Sequence, residues 1–471
     1  MPWHGHPDGR MARPFGGSVI SVRQQALRVR GLFEGKRLRA RSLRATGLVM
    51  GSLVVTKSLQ LGSNLILTRI LFPEAFGLMA LVGVFIAGIQ LISDIGIRPS
   101  LIRSSRGEDP EFQSTAWTLQ VVRGVWITAL ALLLAWPYAL IYDQPILTPL
   151  ISVVAFSALF TGFASIQNSV MARQLILGKV VTMQIIGRLI DVMVMVAFAW
   201  YFQSVWGLAI GNVVGAAASA ALSHVILPSP HHRFAWNRSV LSEIVTFGRW
   251  ILLATLFTFL GTRGLQAVRG YLIELDTLAF LHIAMMFSVI IVEVVQKVLG
   301  IVGFPVMSEV VRDNPGRVKA MTAKIRTLQT LISTPAFLAM AALAPWVIGF
   351  LYDDRYALVG PYLTLMALAN ALAVLPLVYQ KTLLALGDSR SHAFVTGSAS
   401  ALRIAAVFVG FWIAGVPGML VADGLALLVV FLFSAAIATR RGYATLRVDL
   451  LNLAAIGAGY LILVPPLLQT G

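Results

Sequence analysis

From residue 47 onward the chain is one apolar run after another, each of roughly 18–25 residues and long enough to cross a hydrocarbon core as a helix. Inside lipid no water satisfies a backbone N–H or C=O, so only helices and closed barrels are stable there. The runs are too long and too uniformly apolar to be barrel strands. The chain is therefore an all-α polytopic membrane protein. A charged fraction of 12% beside a hydrophobic fraction of 58% agrees, since soluble proteins carry about 25% charge. Spans are predicted near 47–70, 76–97, 114–136, 146–168, 180–202, 205–227, 245–267, 278–302, 328–350, 358–380, 392–414, 417–438 and 450–468, about 13 transmembrane helices. The last is the weakest, being short and holding Pro465–Pro466.

The charges that remain set topology. Residues 1–45 carry ten Lys and Arg against two acids and lack the apolar core of a signal peptide. They are expected to be a cytoplasmic tail that fixes orientation, or an amphipathic segment on anionic lipid. With the N-terminus inside, basic residues gather in inner connections such as 98–113, 303–327 and 439–449. The outer loops PYALIYDQPILTP, QSVW and GVPG carry none. That is the bias of a membrane protein whose cationic loops stay in the cytoplasm. The net charge of +17 is thus topological, and no nucleic-acid partner is expected. The lack of Cys excludes disulfides and thiolate metal sites, and the seven His form no HExxH-like pair, so no metal or cofactor is expected. The outer loops are too short for a catalytic domain, which argues against a membrane enzyme such as a sugar polymerase.

Two stretches resemble each other. TKSLQ (56–60) matches TRGLQ (262–266), and AFGLMAL downstream matches AFLHIAM. Internal similarity of this kind marks transporters built from two bundles with a site between them. The expected organisation is a basic segment 1–45, an N-lobe of six helices at 46–227, a linker at 228–244, a C-lobe of six helices at 245–438, and a C-terminal extra span within 439–471.

A charge at mid-bilayer costs about 2.5–3.5 kcal/mol on insertion scales, so it faces a cavity or a partner. Seven cations (Lys57, Arg123, Arg188, Arg263, Arg269, Lys297 and Arg403) stand against four acids, Asp94, Asp191, Glu293 and Asp423. Arg188 with Asp191, and Glu293 with Lys297, share helix faces and can pair locally. Lys57, Arg123, Arg263 and Arg403 have no acid within a turn and are expected to line a cavity. Gln60, Asn64 and Gln266 extend the same polar stripes. Arg269, near an outer helix end, is expected to snorkel. A positive cavity in low dielectric attracts an anion, ideally one bearing phosphate. A carrier of cationic drugs or small metabolites would instead show acids in excess.

The motif R-x-L-x-P-E-x-F-G at 69–77, Q-L-x-S-D-x-G at 90–96, LYDDRYALVGPYLTLMALANAL at 351–372 and LLALGDSRS at 383–391 resemble the bacterial oligosaccharidyl-lipid flippases, the Wzx-like polysaccharide exporters of the MOP superfamily. The similarity runs from about residue 46 to 440. It implies a carrier in the bacterial inner membrane that moves undecaprenyl-diphosphate-linked sugar units outward by alternating access around a cationic cavity. The product would feed polymerase and export machinery. A multidrug or small-metabolite antiporter of the same superfamily is the alternative. Leu265 stands where relatives often carry an Asp, a departure that bears on any proton or sodium coupling.

Overall fold

A computed structural model describes residues 47–48, 51–93, 96–104, 106–173, 178–227, 233–246 and 263–469, and within them the secondary structure is helical throughout. The N-terminal half holds α1 (51–70), α2 (Pro73–Ile92), α3 (Ile97–Arg103), α4 (Pro110–Ile141), α5 (Leu147–Phe163), α6 (Gln167–Arg173), α7 (Gly178–Phe202) and α8 (Val205–Ile226). After the short α9 (238–246) come α10 (Leu265–Leu272), α11 (Leu275–Val298), α12 (Phe304–Asp313), α13 (Val318–Leu351), α14 (Val359–Val374), α15 (Leu377–Ala385), α16 (Ser389–Arg440) and α17 (Leu446–Gln469). Nine stretches among the described residues are long and apolar enough to cross a membrane, so this is a multi-pass membrane protein. The basic segment 1–45 lies outside the described residues, as does most of the span expected at 245–267.

Local chemistry sets the helix boundaries. α2 and α4 each begin with a proline in the first turn, where the missing N–H costs nothing. Asp109 caps α4 by accepting from the Glu111 N–H at 3.1 Å, and Asp388 caps α16 by accepting from the Ser391 N–H at 3.1 Å. α16 is two helices joined at Ala414 and Gly415, where Gly415 takes a φ of 59° that a side chain would disfavour. The chain folds back there, and the helical halves pack so closely that a Cβ on Gly410 would lie 2.5 Å from the Gly418 carbonyl oxygen. These are the spans expected at 392–414 and 417–438. The span expected at 358–380 is instead broken at Pro376 into α14 and α15. A proline inside an apolar run removes a backbone donor and interrupts the helix.

Two hydrophobic cores organise the molecule. One gathers Leu71, Leu81, Leu147 and Ile151 from the N-terminal half, with Leu278 and Ala279 of α11 inserted among them. The other gathers Phe337, Leu368, Val407 and Phe431 from the C-terminal half. The halves meet where α2 crosses α11, and a Cβ on Gly77 would lie only 2.2 Å from the Leu275 carbonyl oxygen. Nearby, Tyr352 donates to Asn64 Oδ1 at 2.7 Å, Arg355 donates to the Thr68 carbonyl at 3.2 Å, and Tyr356 donates to the Leu71 carbonyl at 3.3 Å. Polar and backbone contacts therefore clasp the halves together at this end.

α17 is bound into the C-terminal half by ionic contacts. Arg326 of α13, which charge counting assigns to an inner connection, is fully buried. Its guanidinium bonds Asp449 of α17 at 2.9 and 2.6 Å and donates to the Leu375 carbonyl. Gln329 donates to the adjacent Val374 carbonyl at 2.5 Å. Side chains thus satisfy carbonyls at the α14–α15 break, as a helix interrupted inside lipid requires. Tyr379 completes the cluster, donating to Asp449 Oδ2 at 2.5 Å.

Candidate substrate cavity

A charged cavity of about 500 Å³ is lined by α10, α11, α14, α15 and both halves of α16. Its charged wall residues are Arg269, Glu293, Arg403 and Asp423, joined by amides such as Gln266 and Asn370 and by hydroxyls, and the rest of the wall is largely aliphatic. At its centre two guanidiniums share one carboxylate. Arg403 donates through Nε to Asp423 Oδ1 at 2.7 Å and through Nη2 to Oδ2 at 2.9 Å. Arg269 donates through Nη2 to the same Oδ2 at 2.9 Å. The α16 fold-back makes this possible by bringing Arg403 and Asp423 to one level on antiparallel neighbours.

Arg269 and Asp423 are buried, whereas the Arg403 side chain keeps 24% of its surface exposed. Arg269 Nε is buried with no hydrogen-bond partner. Two cations on one anion leave an uncompensated positive charge in a low-dielectric wall, an arrangement costly for stability alone. The expectation that Arg269 snorkels is overturned. It sits in the last turn of an eight-residue helix aimed at the core, not at the surface.

From the N-terminal half, Lys57 Nζ lies 3.0 Å from Oε1 of Glu293, a residue of the cavity wall, but Lys57 does not itself line the cavity. Glu293 therefore pairs across the halves, and not with Lys297 one turn on. The cavity itself is walled by residues between Leu265 and Val430. The walls of this cavity thus come from the C-terminal half, whereas a chamber between the bundles is expected from the sequence, and Lys57, Arg123 and Arg263 are not among its lining residues.

The other expected site residues are placed as follows. Gln266 lines the cavity, accepting from Arg263 at 3.1 Å and lying 3.3 Å from His282 Nδ1. Arg263 is itself exposed. Asn64 accepts from Tyr352 at the clasp, and Gln60 is half-buried on the same helix. Arg123 donates to the Gln90 carbonyl at 2.7 Å and to Ser93 Oγ at 3.3 Å, so it closes the C-terminal end of α2. Arg188 and Asp191 form the expected pair at 2.5 Å. Asp94 lies outside the described residues. Sequence reasoning missed Arg269 and Asn370. The acid that holds Arg269 stands 154 residues away, at a separation no local pattern reports.

The sequence profile of a family described as "polysaccharide biosynthesis protein" matches residues 66–360. The lipopolysaccharide biosynthesis protein WzxC of Escherichia coli strain K12 is 21% identical over 330 residues, which cover 68% of this chain and 65% of WzxC. Among solved structures, the lipid II flippase MurJ in an inward closed conformation superposes with a TM-score of 0.67 at 11% identity, covering 89% of this chain and 92% of MurJ. An inward-facing multidrug resistance MATE family transporter of the MOP superfamily gives 0.66 at 12% identity, covering 82% and 94%. The fold is the one shared by MATE transporters and MurJ.

Proposed function

The chain belongs to the polysaccharide biosynthesis protein family; on that premise we propose that it is a Wzx-like transporter of the MOP superfamily that flips an oligosaccharide linked to undecaprenyl diphosphate from the cytoplasmic to the periplasmic leaflet of the bacterial inner membrane. The observation that carries this reading is the Arg269–Asp423–Arg403 cluster in the wall of the charged cavity. It holds one positive charge in excess, and Arg403 is exposed enough to turn toward an incoming phosphate. Arg guanidiniums bind phosphate oxygens through paired donors. A cationic cargo would meet repulsion at the same place, which favours the flippase over a multidrug antiporter.

In this reading the chain works as two six-helix lobes, 46–227 and 245–438, joined by 228–244, with the N-terminus in the cytoplasm. The diphosphate enters the cavity, Arg403 releases part of its hold on Asp423 to bind it, and the aliphatic wall shields the prenyl end. Lys57 leaves Glu293 as the lobes rock, so the bridge across them breaks and re-forms once per cycle. A membrane potential of about 100 mV, negative inside, contributes roughly 2.3 kcal/mol per net negative charge moved outward.

Complementing a deletion strain tests the reading. Arg403→Gln at equal protein level is expected to cut surface polysaccharide about tenfold or more, since a charge-assisted bond is worth roughly 1.5–3 kcal/mol. Lipid-linked oligosaccharide should accumulate in the inner leaflet. Full polymer output from both Arg403→Gln and Arg269→Gln would remove the cluster from the mechanism.

A further inference from the structure

The N-terminal half contains a second polar space that the diphosphate reading leaves unused. A cavity of about 420 Å³ lies among α5, α6, α7 and α8. A second, of about 300 Å³, reaches from there toward α2 and α4. Both are walled by Thr161, Ala164, Asn168 and Gln184, so they are two parts of one trough. Each is of the size of a small-molecule site.

The packing of α7 on α8 explains why the space exists. Gly207, Gly211 and Gly215 recur every fourth residue along α8. A Cβ at Gly207 would lie 2.5 Å from Ala199 N, and one at Gly211 would lie 2.7 Å from Met195 Cα. Small residues at this spacing let helices in lipid approach closely. The third glycine does something else. A Cβ at Gly215 would lie 2.9 Å from Asp191 Oδ1, so the seam there accommodates a carboxylate. Asn212 and Ser219 face the cavity from the same helix.

The chemistry of this trough differs from that of the charged cavity. The larger part carries three amides (Asn168, Gln184 and Asn212) and three hydroxyls (Ser157, Thr161 and Ser219), and the charge of Arg188 is offset there by Asp191 at 2.5 Å; Arg98 and Arg123 line only the smaller part, where Arg123 is bonded to the Gln90 carbonyl. Two buried acceptors, Asn168 Oδ1 and Asp191 Oδ1, have no hydrogen-bond donor. Amides offering both donors and acceptors, with spare acceptors among them, match a polyhydroxylated ligand. Such a ligand supplies O–H donors to the bare oxygens and accepts from the amide N–H groups.

We propose that this trough is a saccharide subsite. It takes the sugar units of the substrate while the Arg269–Asp423–Arg403 cavity takes the diphosphate. The proposal rests on the flippase reading. It assigns the two ends of one amphiphilic molecule to two different places in the fold.

Two probes separate the assignments: undecaprenyl diphosphate alone, and undecaprenyl-diphosphate-linked oligosaccharide extracted from the producing cell. Binding of each to the purified protein in nanodiscs is measured by thermal shift and microscale titration. Wild type should bind both, the glycosylated probe more tightly. Gln184→Leu and Asn212→Leu should each weaken the glycosylated probe, about tenfold for the pair together. Their affinity for undecaprenyl diphosphate should stay at the wild-type value, which also reports that the variants are folded. Equal loss for both probes would mean the trough holds the diphosphate, and no loss for either would mean it holds nothing of the substrate. Either result overturns the subsite. If wild type binds neither probe, the flippase reading itself fails, and the subsite with it.

Discussion

Asp423 is the single carboxylate that neutralises part of two guanidiniums, buried Arg269 and partly exposed Arg403. Removing it leaves buried Arg269 without a counter-charge, a change that destabilises by about 3–5 kcal/mol. Asp423→Asn should therefore melt well below wild type in a detergent thermal-unfolding assay. Asp423→Asn combined with Arg269→Gln should regain part of the loss, because one stranded charge goes with its partner. If the single variant melts like wild type, the cluster does not hold the buried ionic state described. The Arg403–Asp423 pairing was half-visible beforehand. Both residues stood out as charges in apolar runs, and the GVPG turn put their helices side by side. Lys57 with Glu293 was not visible, because 236 residues separate them and helix periodicity carries no information about such distances.

At the scale of elements, two features depend on contacts that a hydropathy pattern cannot report. The first is α17. As an apolar run it looked marginal, yet Asp449 anchors it to Arg326 in the core. Asp449→Ala should destabilise the purified protein by about 3–5 kcal/mol, while Arg326→Met combined with Asp449→Leu should recover most of that. An unchanged melting temperature for Asp449→Ala would show that α17 is not held by this pair. The second is the α2–α11 crossing. Gly77→Ala must push the Leu275 backbone away, since 2.2 Å is well inside any permitted contact. It should loosen the clasp of Tyr352 on Asn64. The chain has no Cys, so a single cysteine placed at Thr68, whose backbone carbonyl keeps its bond from Arg355 and which leaves Asn64 in place, can be labelled without background. Gly77→Ala is expected to raise its labelling rate several-fold over the same cysteine beside Gly77. Identical rates would mean that the crossing does not govern access there.

For the molecule as a whole, the positions of most described helices follow from run length and turn residues, and nine described stretches are long and apolar enough to span, against the about 13 spans expected. The break at Pro376 was hidden because the run around it is apolar throughout. The place of the cavity was less legible than the cations around it. Paired six-span blocks suggested a chamber between the lobes, whereas the C-terminal half lines the charged space and Lys57 meets it only through its bond to Glu293. On α1, Lys57 lies eleven residues from Thr68, roughly 16 Å at 1.5 Å per residue. The bridge to Glu293 and the clasp around Thr68 therefore join the same helix to the C-terminal half at two separate levels. Alternating access requires these levels to open in turn. Proteoliposomes loaded with fluorescent undecaprenyl-diphosphate-linked oligosaccharide, with leaflet exposure read by an impermeant quencher, measure that movement. Wild type should move the probe between leaflets and Arg403→Gln should do so about tenfold more slowly; equal rates for wild type, the variant and protein-free vesicles would contradict a flippase built on this cavity.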